Sequence, residues 1–88
     1  LTVAGRDTVR VRDVLVGEVW VASGQSNMAL ALGRAAGADT VLPRSADSLL
    51  RVIVVGQDTS ETPRRAVRRG GWARADSASL RAFSAVAY

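Results

Sequence analysis

Apolar and polar positions follow different rhythms along the chain, and the changes of rhythm mark out its elements. Val9 and Val11 alternate with Arg10 and Arg12, the period of two expected of a strand with one wet face. Residues 1–3 and 8–12 are short β-prone runs on either side of Ala4-Gly5-Arg6-Asp7. A short β-hairpin, or the remnant of a preceding β-domain, is therefore expected over residues 1–12. From residue 14 to residue 22 the alternation gives way to a nearly continuous apolar run, broken by Gly17 as at a bulge or bend. Such a run predicts a central strand covered on both faces. Trp20 is expected to pack inside it, and Glu18 to lie at a strand end or pair with Arg10 or Arg12.

The run stops at Ser23-Gly24-Gln25-Ser26-Asn27. Residues 28–36 are rich in alanine and leucine, so a helix ending at Gly37 is expected there, although no clean apolar stripe runs along it. Residues 38–48 read as a connection containing Pro43, and residues 49–55 as the second strong strand signal. Residues 57–71 are polar and carry the pairs Arg64-Arg65 and Arg68-Arg69. A solvated loop is favoured there over an anion clamp, because no lysine or aromatic residue interleaves. Trp72 is expected to pin this loop to the body. Ser77 or Ser79 is expected to cap a last helix near Leu80, with Phe83, Val86 and Ala87 facing inward.

A buried strand, a tight turn and a helix in succession predict an α/β arrangement, in which ligands gather at the carboxyl ends of strands. Eighty-eight residues allow at most one small domain, or part of a larger one. Both ends read as cuts, since the chain opens on Leu1 and closes inside the apolar run at residues 83–88, so a fragment is expected. Its half-sheet would leave an unpaired edge and poor stability. Hydrophobic residues make up 48% of the chain, yet no stretch approaches the roughly 20 apolar residues of a membrane span. No signal-peptide layout is present, and the compartment is not fixed.

Composition narrows the chemistry. Cysteine, histidine and lysine are absent, and all 12 positive charges are arginine against 8 carboxylates. Disulfides and thiolate metal sites are thereby excluded. The net charge of +4 is too modest to argue for a nucleic-acid partner, and none is expected.

Ser26 is the residue on which a functional reading stands. A hydroxyl at the end of a central strand projects into the crevice above the sheet, and free amides at a helix start point towards an oxyanion. Gly24 permits a sharp turn, while Gln25 and Asn27 flank the hydroxyl with amides able to bind substrate. The segment resembles a nucleophile elbow, except that Met28 stands where Gly-x-Ser-x-Gly has its second glycine. Pattern alone favours a plainer role, with Ser23 or Ser26 capping the helix. A nucleophilic serine also needs a base, and the chain holds neither histidine nor lysine. Nothing in the sequence supports Asp13 or Asp39 in that role.

The block Asp13-Val14-Leu15-Val16-Gly17-Glu18-Val19-Trp20-Val21-Ala22-Ser23-Gly24-Gln25-Ser26-Asn27-Met28 resembles the first catalytic block of the sialate O-acetylesterase family, within the SGNH hydrolase superfamily. Weaker likeness extends to residues 50–55, Trp72 and residues 83–88, while residues 34–48 depart from the family pattern. The resemblance implies the N-terminal part of an SGNH-type esterase domain over residues 13–88. The fold implied is an incomplete three-layer α/β/α sandwich with a parallel sheet. The activity implied is hydrolysis of acetyl esters on sugars without a metal or organic cofactor, with Ser26 as nucleophile and its backbone amide as one oxyanion donor. An acetylated sugar or glycan and the remainder of the catalytic domain are the implied partners. A secreted or periplasmic setting is compatible with the family. The family's catalytic Asp and His, and its other oxyanion donors, have no counterpart in these residues. The alternative is a non-catalytic carbohydrate-binding or structural remnant in which Ser26 only caps a helix.

Overall fold

Among the described residues Leu80 is the one side chain sealed completely from solvent, and the folded part of the chain is built round it. The computed structural model describes residues 1–66 and 70–88. Leu32, Leu42, Val52 and Ala75 join Leu80 in the core, and Ala35, Ala38, Ala73, Phe83 and Ala85 pack against its rim.

Among the described residues the chain forms four short strands, two short helices and three 3-10 turns, and Leu32 and Leu42 reach the core from two of those turns. β1 (Thr2–Ala4) and β2 (Thr8–Arg10) form an antiparallel pair in which Val3 faces Val9. The amino group of Leu1 donates to the Val11 carbonyl at 3.0 Å, closing the open end of this hairpin. α1 (Ala38–Val41) runs into a 3-10 turn, Leu42–Arg44, that places Pro43 early, where its missing N–H is harmless. Ser45, the buried polar residue, donates its hydroxyl to the Leu42 carbonyl at 2.7 Å. β3 (Asp47–Val52) and β4 (Ala73–Ala75) pair antiparallel, with a register shift between Asp47 and Arg51. α2 (Ser77–Arg81) then brings Leu80 onto the sheet.

The parallel-sheet, three-layer α/β/α expectation is therefore wrong. The chain forms two separate two-stranded antiparallel sheets with few helices. The physical reason lies in residues 14–22. A strand apolar on both faces is stable only when both are covered, and the small core round Leu80 covers neither. No backbone group from residue 12 to residue 24 is hydrogen-bonded among the described residues. Val16 is fully exposed, and Val21 and Trp20 are 90% and 85% exposed. Trp20 thus lies largely in solvent rather than packed inside, and no ion pair joins Glu18 to Arg10 or Arg12 among the described residues.

The expected helix over residues 28–36 is also replaced. Two 3-10 turns, Ser26–Ala29 and Leu32–Arg34, flank an extended Leu30–Ala31 joint. That joint makes a bridge to Ser84, with Leu32 N donating to the Phe83 carbonyl and Ala85 N to the Leu30 carbonyl, both at 2.8 Å. Burial of Leu32 overrides alanine-rich helix propensity, a weak force over nine residues. The last helix starts at Ser77 rather than near Leu80, and Asp76 caps it. Trp72 is 60% exposed and Val86 faces solvent, so neither serves the packing role expected of it. Arg64 pairs with Asp58 at 3.5 Å, while Arg68-Arg69 lies outside the described residues.

The extended shape follows from the uncovered segment. The radius of gyration is 15.8 Å, against about 12 Å for a close-packed chain of this length.

Candidate functional site

Ser26 opens the 3-10 turn Ser26–Ala29 and is exposed, as are Gln25 and Asn27. Gln25 precedes the turn in extended backbone, and no side chain caps it. Neither Ser23 nor Ser26 therefore acts as the helix cap that sequence pattern alone favoured. The turn is held by Met28 N donating to the Gln25 carbonyl at 3.0 Å and Leu30 N to the Asn27 carbonyl at 3.2 Å. Gly24 packs closely on the turn, where a Cβ would stand 3.3 Å from Met28 Cβ.

The turn is anchored from the other side by the C-terminal segment. The Ser84 hydroxyl donates to Met28 Sδ at 3.3 Å, next to the Ala31–Ser84 bridge. Ser84 Oγ also accepts from the amides of Val86 and Ala87 at 3.3 and 3.2 Å. Ser84 was read from sequence only as part of an apolar run. Its role follows from pairing across more than 50 positions of chain, which no local pattern reveals.

The geometry leaves Ser26 with a free hydroxyl and no base. Its side chain makes no hydrogen bond among the described residues, and the amides of Ser26 and Asn27 have no protein acceptor there. Gln25 and Asn27 likewise project into solvent without defined partners. Asp13 is poorly suited to proton abstraction. A hydrogen bond from Arg51, with the charges of Arg51 and Arg74, holds its carboxyl below the usual aspartate range despite an opposing desolvation effect.

Ser26 lines neither of two clefts formed by the described residues. One of about 350 Å³ is lined by Gly33, Asp39, Pro43, Ser77 and Arg81 among others. A larger one of about 670 Å³ lies between residues 11–19 and the Leu49–Arg51 part of β3, with Trp72 at its side. Among the described residues no three potential metal ligands cluster, and no helix is long and apolar enough to cross a membrane.

Comparison with protein-family models, curated proteins and solved structures finds no match. The family resemblance therefore rests on the chain's own residues, chiefly those from Asp13 to Met28.

Proposed function

We propose that Ser26 is the acyl-enzyme nucleophile of a carbohydrate O-acetylesterase of the sialate type. The observation that carries this reading is the 16-residue block from Asp13 to Met28, in which Ser26 sits directly after Gly24-Gln25. The exposed hydroxyl and the unpaired amides of Ser26 and Asn27 are compatible with it. In the proposed reaction Ser26 Oγ attacks the acetyl carbonyl carbon while its proton passes to a base. The tetrahedral oxyanion is bound by the Ser26 amide, then collapses and expels the sugar oxygen, which takes up the proton. Water hydrolyses the acetyl-serine, releasing acetate and restoring the hydroxyl.

Residues 1–88 contain no histidine or lysine, so the base in this scheme comes from outside them. Gln25 and Asn27 are assigned to substrate positioning beside the nucleophile. The reading is tested by acetate release from O-acetylated sugars, catalysed by the protein in its natural full length. Ser26→Ala is expected to lower the rate at least a thousandfold, in line with loss of a triad nucleophile. An unchanged rate would remove Ser26 from the mechanism. Residues 1–88 alone are expected to show no turnover above background.

A further inference from the structure

Residues 12–24 form an extended strap with no backbone hydrogen bond of its own among the described residues, yet it is fastened at both ends. At the far end the Leu30–Ala31 joint is bridged to Ser84 through backbone hydrogen bonds. At the near end the fastening is ionic. Oδ1 of Asp13 accepts from Arg51 of β3 at 2.5 Å and from Arg74 of β4 at 3.4 Å. The Arg51 guanidinium is itself aimed, since its other nitrogen donates to the Ser48 carbonyl at 2.8 Å, and its side chain is only 13% exposed.

Asp13 also has a φ of +56°, the left-handed region that non-glycine residues rarely adopt. The backbone reverses there as the chain leaves the hairpin for the strap. Asp and Asn are the non-glycine residues that tolerate this conformation best. Between the fastenings, residues 14–19 form one wall of the 670 Å³ groove whose other wall is the Leu49–Arg51 part of β3.

We propose that Asp13 is an ionic latch: paired with Arg51 and Arg74, it holds the strap against β3 and so sets the width of the groove. The other charged groups lining the groove are Arg12 and Glu18, both on the strap itself. The Asp13 carboxylate is 58% exposed, so the latch is open to screening by salt, unlike the backbone bridge at Ser84. The groove is a gap with one wall that can be released.

The chain has no cysteine, so spin labels at Val16→Cys and Ala78→Cys, both exposed positions, report the strap-to-body distance in the full protein. One narrow distance distribution is expected at low salt, broadening in 1 M KCl while circular dichroism is unchanged. Asp13→Asn keeps a residue suited to the left-handed backbone and removes only the charge. It is expected to give the broad distribution at every salt concentration, with Arg74→Gln intermediate. Asp7→Asn, a hairpin carboxylate with no arginine partner among the described residues, is the control and is expected to match the parent protein. A parent distribution insensitive to salt, or equal broadening by Asp7→Asn and Asp13→Asn, would overturn the latch.

Discussion

Gly33 lies so close to Arg81 that a Cβ added to it would stand 2.8 Å from Arg81 Cγ and 3.0 Å from the Arg81 carbonyl oxygen. The 3-10 turn Leu32–Arg34 and the end of α2 thus meet backbone to backbone beside the core. Gly33→Ala must push them apart. Overpacking of this kind costs about 1–3 kcal/mol, and the buried residues are too few to absorb it. Faster amide exchange over residues 77–85 is expected, measured by hydrogen–deuterium exchange.

Burial is concentrated in a few side chains, so sensitivity to truncation should be equally uneven. Leu80→Ala empties a fully enclosed site and is expected to cost about 2–5 kcal/mol, enough to abolish a small fold. Val16→Ala removes a larger side chain than alanine from open solvent and is expected to change nothing. Amide exchange at β3 and α2 distinguishes the two variants. Equal effects would mean that residues 14–22 are packed after all.

The cap of α2 makes stability depend on acid. Asp76 accepts from Ser79 N at 2.7 Å, and Ser79 Oγ accepts from Asp76 N at 3.0 Å. The Ser79 backbone bond is the chief cause holding the Asp76 carboxyl below its ordinary value of 3.8. A group lowered in the folded state stabilises above its unfolded value, and that contribution is lost as pH falls through the folded value. α2 is therefore expected to fray in a step beginning below about pH 4. Asn caps as well as Asp does without ionising, so Asp76→Asn should flatten this step, read by circular dichroism against pH.

The antiparallel hairpin was legible in the alternation of Val9 and Val11 with arginine, because a hairpin is a local structure. The strand expected over residues 49–55 was legible only in part, since β3 runs from Asp47 to Val52 and residues 53–55 lie outside it. Its partner Ala73–Ala75 was not legible at all. Three residues carry too little pattern, and their pairing spans more than 20 positions of chain. The cap was misassigned to serine because Asp76 and Ser79 act as a reciprocal pair, with Ser79 at the third helical position.

Residues 14–22 failed differently. Their composition is that of a buried strand, yet none of them joins the core round Leu80. The local pattern specifies an environment that this packing does not supply. Ser26 was singled out in the sequence by its neighbours, but the strand expected beneath it is absent. With Trp20 85% and Trp72 60% exposed, iodide is expected to quench tryptophan fluorescence almost as fully as in the unfolded chain. A blue-shifted, protected emission would show that the segment is covered in solution.

The assignment of Ser26 as nucleophile is tested most directly by covalent labelling. A fluorophosphonate probe is incubated with the protein in its natural full length, and the modified peptide is located by mass spectrometry. The label is expected on Ser26 and is expected to vanish in Ser26→Ala. Labelling that persists at another serine in that variant, with Ser26 unmodified in the parent, would contradict the proposed function.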